Sequence, residues 1–173
     1  MPQQINDLAE NKLSILYFVK CLGIPLTNSQ ITQFFIENNF MNYFVLQQSF
    51  IELVSGELLD SITAGNMEFF VLTPKGDEVL SFFQHRITPY IKNSIETFAE
   101  LNRDRLKKES QLTSDYKRIS DKEYEVTCKV REKNLILLEL KLNVPSSEQA
   151  KIICENWKLR APEVFKAIMD RLI

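Results

Sequence analysis

Leu58-Leu59-Asp60-Ser61-Ile62-Thr63-Ala64-Gly65-Asn66-Met67-Glu68-Phe69-Phe70-Val71-Leu72-Thr73-Pro74-Lys75-Gly76 decides the fold. Two extended pieces, residues 58–62 and 67–72, flank Thr63-Ala64-Gly65-Asn66, whose composition suits a hairpin turn. Thr73-Pro74 then opens a helix, with Thr as N-cap and Pro at the first helical position. Val79, Leu80, Phe82 and Phe83 are expected to pack that helix.

Working outward toward the N-terminus, residues 5–22 read as a helix. Ile5, Leu8, Leu16 and Val19 share one face, which Ile15, Phe18 and Leu22 widen. A helix apolar around most of its circumference is central or covered by a second subunit. Gly23-Ile24-Pro25 ends it. Thr27 and Gln30 have capping-box spacing, with Leu26 and Ile31 as the flanking staple, and Ile31, Phe34 and Phe35 face inward. After the turn Asn38-Asn39-Phe40-Met41, a third helix starts at the N-cap Asn42. Its apolar face is Tyr43, Leu46, Phe50, Leu53 and Val54, and Ser55-Gly56 closes it.

Helix, helix–turn–helix, hairpin, helix is the layout of a winged helix-turn-helix domain; another small α+β domain is the alternative. The stretch Phe70-Val71-Leu72-Thr73-Pro74-Lys75-Gly76 resembles the wing end of PadR- and MarR-like regulators, where a strand runs through Leu-Thr-x-Lys-Gly into a helix.

In the usual docking the second helix of the pair lies in the major groove. Here its outer face is expected to carry Phe44, Val45, Gln48 and Glu52, with Asn42, Gln47 and Ser49 near the leading edge. Asn and Gln pair with an adenine edge, and apolar groups touch thymine methyls. The helix has no Lys or Arg, although DNA affinity draws heavily on neutralised phosphates. Residues 1–86 hold four basic and nine acidic groups, a balance of −5, while residues 87–173 stand at +3. The acidic half is thus the half with the DNA-reader layout. Lys12, Lys20 and Lys75 are its candidate cluster of cations. A second basic group, Arg103, Arg105, Lys107 and Lys108, with Lys117-Arg118 after it, is either a phosphate-binding patch or a solvated helix end. A helix packed against protein is the competing reading of residues 42–55.

Beyond the winged helix, a long helix follows Thr88-Pro89, with Ile91, Ile95, Phe98, Leu101 and Leu106 as its stripe. Strict alternation then marks strands at residues 124–131 and 138–144, with a more polar third strand at 113–119 and a turn at Glu132-Lys133-Asn134. Ser146 and Gln149 open a last helix as a second capping box. Ala150, Ile153, Cys154 and Trp157 face inward, Pro162 is expected to kink or restart the helix, and the apolar face continues to Leu172. The expected class is α+β. Residues 1–87 form the winged helix-turn-helix domain and residues 88–111 the long connecting helix. Residues 112–173 form a three-stranded antiparallel meander with a C-terminal helix, for dimerisation or sensing.

Nearly the whole chain resembles an uncharacterised bacterial domain-of-unknown-function family whose members carry the label of winged-helix transcriptional regulators. Gly23-Ile24-Pro25-Leu26-Thr27-Asn28-Ser29-Gln30-Ile31, Asn42-Tyr43-Phe44, Asn102-Arg103-Asp104-Arg105, Leu142-Asn143-Val144-Pro145-Ser146 and the segment from Gln149-Ala150-Lys151 through Glu155-Asn156-Trp157 carry the resemblance. It implies an N-terminal winged helix and gene regulation, and brings no ligand, operator or functional residue with it.

Enzyme chemistry is not expected. His85, the single histidine, has no Ser, Cys or Asp partner at motif spacing, and four glycines build neither GxxxxGK[ST] nor GxGxxG. Cys21, Cys128 and Cys154 are far apart and read as buried thiols of a cytoplasmic protein, without zinc spacing. No apolar run reaches the ~20 residues of a membrane span. The expectation is a homodimeric, cofactor-free DNA-binding regulator, its recognition helices ~34 Å apart, open to an unidentified effector. The alternative is a protein-interaction module docking through the same helix.

Overall fold

The computed structural model describes residues 8–64, 67–132 and 135–173. Ile5, Gly65-Asn66 of the hairpin turn and Lys133-Asn134 of the sheet turn lie outside them. The described residues form an α+β chain of six α-helices and two three-stranded antiparallel sheets. They divide into two compact units, Met1–Leu106 and Lys107–Ile173.

In the first unit, α1 (Leu8–Leu22) is buried on most sides, with Ile15, Leu16, Phe18 and Leu22 almost wholly enclosed. Leu8, expected inside, is exposed, and Leu13 is buried. Gly23 then takes φ +63, a left-handed turn that a residue with a Cβ enters only at a cost. β1 (Leu26–Thr27) pairs antiparallel with β3 (Met67–Leu72), which also pairs with β2 (Leu59–Ala64), giving the order β1-β3-β2. Two residues are too few for an alternation to show, so β1 is invisible to periodicity. Thr27 does double duty. It lies opposite Phe69 in the sheet, and its hydroxyl accepts from Gln30 N while the Gln30 side chain accepts from Thr27 N, completing the capping box of α2 (Asn28–Glu37).

The end of α2 is a Schellman motif. Asn39 sits at φ 54, its N–H donates to Ile36 O, and Phe40 N–H donates to Phe35 O. The accompanying apolar contact is Phe40 on Phe35, ring centroids 6.3 Å apart. α3 (Tyr43–Ser55) ends in the same way, Glu57 N–H donating to Val54 O and Leu58 N–H to Leu53 O. Here the left-handed residue is Glu57, at φ 60, and not the glycine beside it, which stays helical.

α4 (Pro74–Phe83) follows the hairpin, then a short 3-10 turn and α5 (Pro89–Gln111). Phe82, Phe83 and Leu101, all expected in the core, are exposed. Leu80 anchors α4, and Ile95, Ala99 and Leu106 anchor α5 at four-plus-seven spacing. The abundance of Phe is explained at the centre. Phe18 stacks on Phe34 at 4.6 Å, and Phe34 meets Phe98 at 4.8 Å and Phe35 edge-on at 5.2 Å.

In the second unit, β4 (Leu112–Ser120), β5 (Glu123–Glu132) and β6 (Leu135–Val144) form the expected meander, with Cys128 opposite Ser114 and Leu140. α6 (Ser147–Leu172) is capped by Ser146, whose hydroxyl accepts from Gln149 N. It covers Val126 and Cys128 with Ala150, Trp157 and Ala161. Pro162 does not restart it: the helix runs on as one element through the proline. Met169 and Leu172, expected to continue the inner face, are exposed.

Candidate nucleic-acid interface

Leu46, Ser49, Phe50 and Leu53 fix the inner face of α3, which leaves Phe44, Gln48, Ile51 and Ser55 in line on the outer one. Phe44 is 82% exposed, Ile51 64% and Tyr43 55%. Tyr43 and Phe44 meet edge to face at 6.0 Å, so the leading end of the helix carries an aromatic pair in solvent. Asn42 is the N-cap, its side chain accepting from Val45 N at 3.0 Å.

This face differs from the one read in the sequence. Tyr43 moves outward, and Ile51 joins the exposed stripe two turns beyond Phe44. Ser49 is buried and donates to Val45 O. Gln47 is occupied between helices: its amide exchanges bonds with Asn28 of α2 at 3.0 and 3.1 Å and donates to Thr32. Val45 is half-buried against the core. Of the seven side chains from Asn42 to Gln48, then, Tyr43, Phe44 and Gln48 reach outward, with Asn42 held by its cap. Ser49 lies three residues after Leu46, on the core stripe, and that spacing was the available signal.

The cations of the first half are spent. Lys12 is ion-paired with Glu52 on α3, and that bond, followed by one from Gln48, holds the Glu52 carboxyl below the usual range. Lys20 pairs with Asp77 on α4. Lys75 donates to Gly56 O at 2.9 Å and lies 3.4 Å from Glu57, placing a positive charge at the negative C-terminal end of α3. Arg86 is engaged as well. Lys12, Lys20 and Lys75 thus each pair with a different acidic residue.

The Leu-Thr-Pro-Lys-Gly stretch proves to be a clamp. Thr73 Oγ1 donates toward Glu57 O at 2.8 Å and Leu58 O at 3.1 Å, and accepts from Gly76 N at 2.9 Å as the N-cap of α4. Gly76 packs so closely that a Cβ there would lie 2.1 Å from Leu58 O. The end of α3, the base of the hairpin and the start of α4 are thus tied at one point.

The second basic group falls on both sides of the unit boundary. Arg103 and Arg105 belong to the first unit. Arg103 donates to Cys21 O at the end of α1, and Arg105 to Asn102 at 3.0 Å. Lys107 and Lys108 are exposed and belong to the second. Among the described residues no group of three His, Cys, Asp or Glu is placed to hold a metal ion, and no helix is long and apolar enough to cross a membrane.

Fold and site define a two-unit α+β protein that presents one exposed helix face beside a β-hairpin. The chain belongs to the family described as Domain of unknown function (DUF4364), which matches residues 11–172, from within α1 to the end of α6. No curated protein and no solved structure matches it.

Proposed function

We propose that the first unit is a winged helix-turn-helix, with β2 and β3 as the wing, and that the protein is a dimeric transcriptional regulator reading double-stranded DNA through α3. One observation carries this. In the element order α1-β1-α2-α3-β2-β3, the second helix of the turn keeps a full outer stripe uncovered while everything behind it is fixed by caps, clamp and core. A helix fits the B-DNA major groove. Gln48 has the amide that pairs with an adenine edge, and Phe44 and Ile51 have the apolar surface that meets thymine methyls. Backbone N–H groups at the start of α3 supply phosphate contacts that need no cation.

The test is capture of genomic fragments at two salt concentrations, by wild type and by Phe44→Ala and Gln48→Ala. Salt-sensitive capture of a discrete set of sequences, blurred by either substitution at unchanged thermal stability, is the expected outcome. Absence of salt-sensitive binding overturns it.

A second reading, that α3 docks on protein, is favoured by two observations: each cation of residues 8–86 is engaged, and the outer face is apolar and acidic. A partner co-purifying with wild type but not with Phe44→Ala, without bound nucleic acid, is its signature.

A further inference from the structure

We infer that the outer edge of β6 pairs with the same edge of a second copy, two-fold about Leu140, joining two three-stranded sheets into one of six strands. This deepens the dimer of the preceding reading and rests on its being a dimer, not on its binding DNA.

The two edges of the second sheet are built differently. β4 ends in polar and charged residues, including Asp115, Lys117 and Arg118, with a register shift between Arg118 and Ser120. Such features blunt an edge against pairing. β6 has ten residues and pairs, among the described residues, only with β5. Leu135, Ile136, Leu137 and Leu142 on it are all exposed. β6 carries Glu139, Lys141 and a register shift at Leu137 too, but an edge of this length with exposed leucines is a template for another strand.

The sheet's cover is also thinner over β6 than over β5. α6 is fastened over β4 and β5, where Ser114 donates to Cys154 O at 3.1 Å and Trp157 to Lys129 O at 3.3 Å. Val126 and Cys128 of β5 are fully enclosed. Leu138 and Leu140 of β6, on the same face, are only half-buried, and Leu142 is 43% exposed. Under the two-fold, Leu138, Leu140 and Leu142 from each copy would form one leucine layer between the two α6 helices.

The charges choose the register. Leu138-Glu139-Leu140-Lys141-Leu142 is self-complementary when antiparallel to itself about Leu140: Leu138 faces the partner's Leu142, and Glu139 faces the partner's Lys141 on both sides of the axis. A two-fold at Glu139 or at Lys141 sets like charges opposite each other. A shift by one residue puts the leucine face against the charged face. Glu139 already lies 3.1 Å from Lys129 and 3.5 Å from Lys141 of its own chain, so the pairing extends an existing charge row across the new seam. The ladder to β5 passes over Leu137 between Leu138 and Ile136, so the regular stretch begins where the proposed pairing does.

Sedimentation analysis of the full chain without DNA tests this. Lys141→Glu alone and Glu139→Lys alone each place like charges across the seam twice, and each is expected to weaken self-association by on the order of tenfold. Mixed together, the two variants restore opposite charges at both positions and are expected to associate like wild type. A monomeric wild type overturns the inference. So do single variants that dimerise unchanged, or a mixture that stays monomeric while both variants keep wild-type melting curves. DNA binding plays no part in the readout, so failure here leaves the regulator reading to its own test.

Discussion

Glu57 and Gly76 show how single residues set this fold. Glu57 holds the left-handed position of a complete Schellman motif, the place where glycine is ordinarily found. Its strain is only partly offset by the exposed pair with Lys75. Glu57→Gly is therefore expected to raise the unfolding free energy by about 1 kcal/mol in urea titrations. Gly76→Ala goes the other way. Its Cβ would overlap a backbone carbonyl that Thr73 also holds, and a loss of about 2–3 kcal/mol is expected. Cys128 contributes to the alkaline limit. Burial, and then the neighbouring Cys154, push its thiol from 9.0 up to about 11. The folded state thus holds this proton more tightly than the unfolded chain. The stability it contributes is complete below about pH 9 and is lost toward pH 11. Tyr17, raised from 10.0 by burial and then by its bond to Glu96, adds a further loss that begins above about pH 10. The melting temperature should fall across this window, and less steeply in Cys128→Val. Caps at Thr27, Asn42, Thr73 and Ser146 were legible in the sequence because each is a local bond between residues three apart. Glu57 was not: the glycine beside it looked like the turn, and only the backbone angles show which of the two bends.

At the scale of elements, apolar identity predicted where helices and strands run better than which way they face. The alternation of residues 124–131 and 138–144 gave two of the three strands of the meander, because a period of two leaves little choice of side. Helices allow more. Leu101, Phe82 and Phe83 are apolar yet exposed, while Ala99 and Ser49 are small yet buried, because position on the stripe outranks side-chain character. On α3 the same effect exchanged Tyr43 for Ser49 and removed Gln47 from the candidate interface. That residue's partner, Asn28, is distant in sequence and could not be foreseen. α6 carries an element-level cost. Pro162 has no N–H to give the carbonyl of Lys158, yet the helix continues through it. Pro162→Ala is expected to stabilise the chain by about 2 kcal/mol, read as a shift of the denaturant midpoint.

At the scale of the molecule, the charge division of −5 and +3 acquires a structural meaning. The carboxylates of the first half are partly consumed in silencing its lysines, and Lys12, Lys20 and Lys75 act as braces between elements of the first unit. On the regulator reading proposed above, the chain neutralises few phosphates per subunit. Its log affinity for DNA should fall with log salt at a slope shallower than about −4 for the dimer, whereas ordinary basic repressors approach −10. A steep slope would mean that cations outside the first unit do the binding, with Lys107 and Lys108 first to be replaced.

The clamp at Thr73, Lys75 and Gly76 bears on how such chains are recognised. Its bonds hold α3, the hairpin base and α4 together. The short word that most resembles known regulators is therefore a signature of joinery. A chain with a protein partner would need it as much as one with DNA, since losing Gly76 breaks the joint whatever the surface outside is doing. Shared spelling at this point certifies common carpentry, and a trade has to be read from the face of α3 instead.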